Sequence, residues 1–266
     1  MSVFQLQQGR TPLLISLPHV GTEIPAELAE RLVPRALVSE DSDWHLERLY
    51  RPLASALGAS LIVPRYSRYV VDLNRPPDDQ PLYPEATGGT GLVPTRFFTD
   101  DPLYVAGAWP DAAAIAARRE AYWQPYHDAL AAELARLRAE HGHALLFDGH
   151  SIRSELPWLF EGTLPALNLG TADGASCAWA ITERLGALLA GQQRFSHVVN
   201  GRFKGGYITR HYGQPGQGVH AVQLEMCQRC YMDEARDPRQ AYDEAAAAEV
   251  APLIEKMLKE MLACQP

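Results

Sequence analysis

Ala144-Leu145-Leu146-Phe147-Asp148-Gly149-His150-Ser151 is the stretch on which the fold of this chain turns. Four apolar residues in a row are too few for a helix of their own and read as a strand buried on both faces. Gly149 is expected to break the strand, and a polar run with His150, Ser151, Arg153, Ser154 and Glu155 follows. In an open α/β sheet, ligands gather where strands end at their carboxyl edge. His150 is placed at such an end. One histidine there is ordinarily a loop residue satisfied by a carbonyl, so its weight depends on what other segments bring to the same edge.

Upstream, Leu13-Leu14-Ile15-Ser16-Leu17 reads as a short strand that exits at Pro18-His19, a second histidine at a strand end. Carboxylates lie close behind it: Glu23, then Glu40, Asp41 and Asp43. The spacing of Trp44, Leu46, Leu49, Tyr50, Leu53 and Leu57 predicts a helix over 41–57, capped by Asp41 or Ser42. Asp43 in its first turn is explained equally well by the helix dipole. His45 reads as a surface or packing histidine, or as an alternative ligand. Residues 60–64 and 69–73 are expected to be neighbouring strands joined by Arg65-Tyr66-Ser67-Arg68. Past them, Asn74-Arg75-Pro76-Pro77 ends regular structure. Arg75 offers a planar fork suited to a carboxylate, with Asn74 beside it and Arg68 as a second guanidinium. The structural alternative pairs Arg75 with Asp72.

Residues 77–109 read as an irregular insertion and 110–140 as a helix that Pro125 divides. His127, His141 and His143 receive no chemistry. A helix over 176–190 is expected to turn Trp179, Ile181, Leu185 and Leu188 inward. The glycine-rich run over 200–213 suits either a mobile loop closing on an anionic ligand or an ordinary hairpin. It leads to a strand over 219–226, where Glu225 stands amid Val222, Leu224 and Met226. A carboxylate is costly to bury there unless it is functional or paired, for instance with Arg210. A helix over 240–262, with Pro252 inside, closes the chain. Cys227-Gln228-Arg229-Cys230 resembles a metal or redox pair, but no second pair stands at a suitable spacing.

No linker, repeat or low-complexity tract interrupts the 266 residues, so one compact domain over 1–266 is expected. The net charge of −8 argues against nucleic acid or an anionic membrane as partner, whereas local arginines still permit a small acidic substrate. No apolar run reaches the roughly 20 residues of a membrane span, and the N-terminus lacks a signal-peptide pattern. The four cysteines are not spaced as a disulfide framework, which makes a reduced, cytoplasmic setting the expectation. Oligomeric state has no signal in the sequence.

The remaining polar residues form a chemical set. Two histidines and a carboxylate complete a catalytic zinc site with an open fourth position. A free glutamate can shuttle a proton from water to a departing nitrogen, an arginine can steady an oxyanion, and an Asn-Arg pair can hold a substrate carboxylate. That set suits metal-assisted hydrolysis of an amide on a substrate that is itself an acid.

Five segments carry a resemblance: Pro18-His19-x-Gly21-Thr22-x-Ile24-Pro25; Ser42-Asp43-Trp44-His45; the run from Arg65 to Pro76; Asp148-Gly149-His150-Ser151; and the run from Lys204 to Gly213. Together they resemble the N-formylglutamate amidohydrolase family, itself distantly similar to zinc carboxypeptidases and aspartoacylase. The resemblance implies a single-domain, three-layer α/β/α fold around a mixed sheet, of the phosphorylase/hydrolase-like, zinc carboxypeptidase type. It implies one divalent metal, zinc, held by His19 and His150, with Glu225 as general acid/base and Arg68 at the oxyanion. Asn74 and Arg75 would take the substrate α-carboxylate, and Arg153, Tyr207 and Arg210 are candidates for its side-chain carboxylate. For the third metal ligand, Asp43 fits the family pattern better than Glu23. The implied reaction is hydrolysis of N-formyl-L-glutamate to L-glutamate and formate, in histidine degradation. Competing readings are a zinc deacylase for another N-acyl amino acid, aspartoacylase-like in activity, and a metal-bound sensor of acidic amino acids without turnover.

Overall fold

The computed structural model describes residues 2–81 and 90–264. Its frame is a seven-stranded mixed sheet whose order is β1-β3-β2-β4-β7-β5-β6. In chain order the strands are β1 (Phe4–Gln7), β2 (Leu13–Ser16), β3 (Ser60–Pro64), β4 (Ala144–Ile152), β5 (Leu167–Gly170), β6 (His197–Val199) and β7 (Val219–Cys227). The central four, β3, β2, β4 and β7, are mutually parallel, whereas β1 and β5 run antiparallel to β3 and β7. The helices are α1 (Ala26–Ala29), α2 (Leu46–Leu57), α3 (Ala112–Arg118), α4 (Gln124–His141), α5 (Trp179–Ala190), α6 (Tyr207–Tyr212) and α7 (Glu244–Ala263). Among the described residues no helix is long and apolar enough to cross a membrane.

Alternation along the strands sorts the two faces. Leu13, Ile15, Leu145, Phe147, Val222 and Leu224 share one core with α2, α5 and α7. Leu14, Ile62, Ala144, Leu146 and Ala221 share the other with α4 and with Ile208 of α6. The result is three layers, α/β/α, because successive strand side chains point to opposite faces and both faces are apolar. The chain leaves β2 for β3 on one side and returns through α4 to β4 on the other. The strand order therefore reverses between β2 and β4, and a crevice is expected beyond their carboxyl ends.

Several expectations need correction. Gly149 does not end β4, which runs nine residues in register with all nine of β7, so His150 lies inside a strand opposite Glu225. The glycine instead serves close packing, since a Cβ there would sit 2.7 Å from Leu17 Cδ2. Residues 69–73 form no strand. Their amides bond to turns and to a distant loop instead of a ladder: Val70 N–H donates to Ser67 O, Asp72 N–H to Leu92 O, and Asn74 N–H to Asp72 Oδ1. The apolar run there reflects burial without a ladder. Helix α2 begins only at Leu46, behind a left-handed His45 (φ +64°), so neither Asp41 nor Ser42 caps it and the dipole does not explain Asp43.

Trp179 is 72% exposed rather than inward, while Ile181 and Leu185 are buried as expected. Pro125 follows a π-helical turn over Arg119–Trp123 and stands in the first turn of α4, where a missing N–H is tolerated. The run over 200–213 is neither hairpin nor open loop, because its second half is α6 with Ile208 and Thr209 buried. Of the insertion expected over 77–109, residues 82–89 lie outside the described residues, and 90–109 shows only isolated bridges.

Candidate metal centre and active site

His19 follows β2, Asp43 precedes α2, and His150 sits near the end of β4. Asp43 is brought to His19 by a backbone hydrogen bond, its N–H donating to His19 O at 2.9 Å. The three side chains meet with His19 Nδ1 and His150 Nδ1 3.2 Å apart, and Asp43 Oδ2 3.9 Å and 3.5 Å from them. All three are buried, at 4%, 1% and 2% exposure for His19, Asp43 and His150. Both histidines, read from the sequence as strand-end residues, are buried.

This donor set fits a metal ion. Two nitrogens bound tetrahedrally at about 2.0–2.1 Å would stand roughly 3.3 Å apart, close to the separation observed. Asp43 Oδ1 is buried without a hydrogen-bond partner, a cost that a bound cation would remove. Each imidazole also turns its other nitrogen to a buried carboxylate, with His19 Nε2 2.7 Å from Asp72 Oδ1 and His150 Nε2 2.9 Å from Asp148 Oδ2. Partners of that kind orient histidine ligands toward metals. Glu23, the other candidate ligand, lies outside the cluster and pairs with Arg65 at 2.7 Å near the surface. His45 is a packing histidine, with Nε2 2.7 Å from Pro238 O.

Burial, reinforced by Arg68, holds His19 below the usual imidazole range despite Asp72 and Asp43. Burial also pushes His150 down, but Asp148 and Asp43 outweigh it and hold that ring well above its ordinary value. Glu225 projects on the same face as His150. Val222, Leu224 and Met226 join the opposite core, so the apolar company expected for it is replaced by Gln223, whose Nε2 donates to Glu225 Oε2 at 3.4 Å. Burial raises the Glu225 carboxyl above the usual glutamate range, with His150 pulling the other way. The Tyr50 hydroxyl, near Asp43 and Glu225, is a second buried group without a hydrogen-bond partner.

Arg68 donates from Nη2 to Asp72 Oδ2 at 2.6 Å, and its guanidinium lies over the Phe98 ring at 4.7 Å. Its buried Nε has no partner. Asp72 is thus occupied by His19, Arg68 and Asn74 N–H, and among the described residues Arg75 makes no direct ion pair with it, its charge only helping to lower the Asp72 carboxyl. The half-buried Arg75 guanidinium makes no hydrogen bond or ion pair among the described residues, while its carbonyl accepts from Trp123 Nε1. Asn74 Oδ1 accepts Ile208 N–H at 2.9 Å, and Asn74 Nδ2 is 3.1 Å from His150 Nε2. Gly206 packs so tightly on that amide that a Cβ would stand 2.2 Å from Asn74 Nδ2. Tyr207 stacks on His211 and meets Trp123, Arg210 Nε donates to Gly205 O, and Arg153 is exposed just past β4.

Sequence reasoning gave Asp148 no role at this site and read Asp72 only as a structural partner for Arg75. Each carried a signal. Asp148 stands two residues before His150 on a strand and so shares its face; Asp72 stands four residues after Arg68. The Cys227 and Cys230 thiols are buried against the Pro165 and Ala166 carbonyls, and burial pushes them up to about 12 and about 11. Thiols held so far above neutrality carry little thiolate.

The sequence pattern of N-formylglutamate amidohydrolase matches residues 11–232, most of the chain. The chain belongs to the N-formylglutamate amidohydrolase family. A relative from Pseudomonas aeruginosa, named N-formylglutamate deformylase, is 52% identical over 258 residues and is matched over 96% of either chain. Another of that name, from Pseudomonas putida, is 47% identical over 261 residues, covering 98% of this chain and 96% of that one. Among solved structures, an N-formylglutamate amidohydrolase from Ralstonia eutropha superposes with a TM-score of 0.82 at 22% identity, over 99% of this chain and 98% of that one. A gene product of Agrobacterium tumefaciens gives a TM-score of 0.73 at 18% identity, over 98% and 96%. Both are likenesses of fold. The family's α/β architecture is therefore the one expected from the sequence.

Proposed function

We propose that this chain hydrolyses N-formyl-L-glutamate to L-glutamate and formate at one divalent metal, zinc by the donor set, held by His19, Asp43 and His150. The observation that carries the proposal is the convergence of two Nδ1 atoms and a carboxylate oxygen beside the buried Glu225. Relatives named N-formylglutamate deformylase, matched over nearly their full length, supply the substrate. When bound, a divalent ion of this kind lowers the pKa of a water and polarises a carbonyl.

The chain's own groups do the rest. Glu225 takes the proton of the attacking water and returns it to the leaving nitrogen, so it must pass between both protonation states. A carboxyl raised by burial is suited to that. Arg68, held by Asp72, faces the oxyanion with donors already in place. Arg75, whose guanidinium makes no hydrogen bond or ion pair among the described residues, takes the substrate α-carboxylate, with the Asn74 amide beside it. Arg153, Tyr207 and Arg210 are the candidates for the substrate's side-chain carboxylate. In the cell we assign the reaction to the last step of histidine degradation in the cytoplasm. A deletion strain fed histidine should accumulate the formylated acid.

The direct test is formate release from N-formyl-L-glutamate by purified protein, with and without a chelator, alongside Glu225→Gln. The parent should turn over only with metal. The variant should bind metal and substrate yet run at least ~100-fold slower, the lower bound for lost proton-transfer catalysis. Near-parental turnover by the variant would remove Glu225 from the mechanism. Preference for N-acetylaspartate would instead favour the deacylase reading.

A further inference from the structure

His150 Nε2 has two neighbours that ask for opposite protonation. Asp148 Oδ2, at 2.9 Å, accepts from it when Nε2 carries the hydrogen. Asn74 Nδ2, at 3.1 Å, can only donate to it, which requires Nε2 to be bare and Nδ1 to carry the hydrogen. The choice matters because Nδ1 is the atom that faces His19 and Asp43. Of the two neutral forms of the ring, only the Nε2–H one leaves a lone pair there.

The surroundings of Asp148 decide between the two. Its side chain is wholly buried, and every other contact is a hydroxyl donor: Ser16 Oγ donates to Oδ1 at 3.1 Å and Thr209 Oγ1 to Oδ2 at 3.4 Å. Behind Ser16, the Tyr126 hydroxyl lies 3.1 Å from Ser16 Oγ, and with Ser16 spending its hydrogen on Asp148, Tyr126 must be the donor. The chain of hydroxyls therefore runs toward the carboxylate and marks it as an acceptor throughout. A charge-assisted hydrogen bond is roughly twice as strong as a neutral one, so Asp148 outcompetes the Asn74 amide. We infer that Asp148 is a positioning residue which fixes the Nε2–H form and ring orientation of His150, so that Nδ1 is presented to a metal ion.

This inference rests on His150 being a ligand, and the test separates the two. Zinc affinity is measured by competition with a chromogenic chelator for the parent, Asp148→Asn, Ser16→Ala and His150→Ala. The ring nitrogens of His150 are followed by 15N NMR in the zinc-loaded proteins. Asp148→Asn should weaken zinc binding by about 10–100-fold, the usual effect of losing a partner behind a histidine ligand. The Nε2–H signal should move out of its charge-assisted position. Ser16→Ala, which frees one carboxylate oxygen without removing the charge, should fall between variant and parent and covers the case in which Asp148→Asn does not fold. Parental zinc affinity together with an unchanged Nε2–H signal in Asp148→Asn, or in Ser16→Ala if the former is unfolded, overturns the inference alone. Parental affinity in His150→Ala overturns it together with the metal site.

Discussion

The two histidines of the centre are held by arms of different electrical character. Behind His19 stands Asp72, which also takes the Arg68 guanidinium and Asn74 N–H. Burial opposes the Asp72 charge, but Arg68 and His19 outweigh it and keep the carboxyl well below the usual range. Behind His150 stands Asp148, whose other side-chain partners among the described residues are the hydroxyls of Ser16 and Thr209. One arm is an ion-pair hub in a turn; the other is a hydroxyl chain between two parallel strands. The first ties a metal ligand, an oxyanion arginine and the substrate-carboxylate segment to a single side chain. The second serves one ring. Damage to the first should therefore spread, and damage to the second should stay local.

The strongest test of that contrast is Asp72→Asn set against Asp148→Asn in metal-free protein. Removing one partner of a buried pair leaves the other charge uncompensated and costs about 3–5 kcal/mol. Asp72→Asn should lose that much unfolding free energy in urea, together with zinc affinity and substrate binding. Asp148→Asn should lose far less stability. Equal losses would erase the distinction between the arms.

Arg75→Ala sharpens it next, because Arg75 follows the first arm but no group in the described structure holds its guanidinium. It should lose about 2–5 kcal/mol of substrate binding, seen as a raised KM with zinc affinity and unfolding midpoint unchanged. N-formylglutamate should correspondingly outrun its α-amide in the parent. A variant that unfolds earlier but keeps its KM would make Arg75 structural.

How far the sequence carried this picture follows from the kind of signal each residue left. The apolar runs at 13–17, 60–64, 144–147 and 219–226 marked the four central strands because those strands are buried on both faces. The strands β1, β5 and β6 are three or four residues long and, unlike the equally short β2, carry no run of three apolar residues. Residues 69–73 were misleading for the opposite reason, being buried without belonging to a ladder. At the site, His19 and His150 stood out as histidines expected at strand ends and Asp43 through the family pattern, and the structure brings the three together. Asp72 and Asp148 are flanked by apolar residues and looked like parts of those runs. Their role depends on which ring nitrogen they face, which is a property of packing.

His127 links the arms and supplies a test by pH. Its Nε2 is 2.9 Å from Leu73 O, next to Asp72, and its Nδ1 is 2.9 Å from the Tyr212 hydroxyl on α6, the helix that carries Thr209. Trp123 and Tyr212 stack on it, Tyr126 and Tyr207 meet it edge-on, and His211 lies near. Burial pushes His127 down to about 3, against an ordinary value of 6.5. Between those values the unfolded chain binds a proton that the folded chain refuses, so stability falls as pH drops below 6.5 and is unaffected above it. The slope is about 1.4 kcal/mol per pH unit, or about 2 kcal/mol lost by pH 5. His127→Gln should flatten the curve of unfolding free energy against pH over that window. An unchanged slope would place the acid sensitivity elsewhere.

The smallest effect is expected at Glu23, and it bears on the ligand that both arms share. Asp43 Oδ2 approaches both Nδ1 atoms, and Asp43 Oδ1 is left buried without a partner, so Asp43→Ala should abolish tight zinc binding. Glu23 was the rival on sequence grounds, four residues past His19. In the fold its backbone bridges to Tyr66, and its carboxylate turns to the Arg65 guanidinium at the surface. A solvent-screened pair of this kind contributes little to stability. Glu23→Ala should therefore match the parent in zinc affinity and turnover, with an unfolding midpoint barely moved. Zinc lost from Glu23→Ala but kept by Asp43→Ala would exchange their roles. It would also require the segment after β2 to turn inward, breaking the hydrogen bond between Asp43 N–H and His19 O that now holds both residues at the centre.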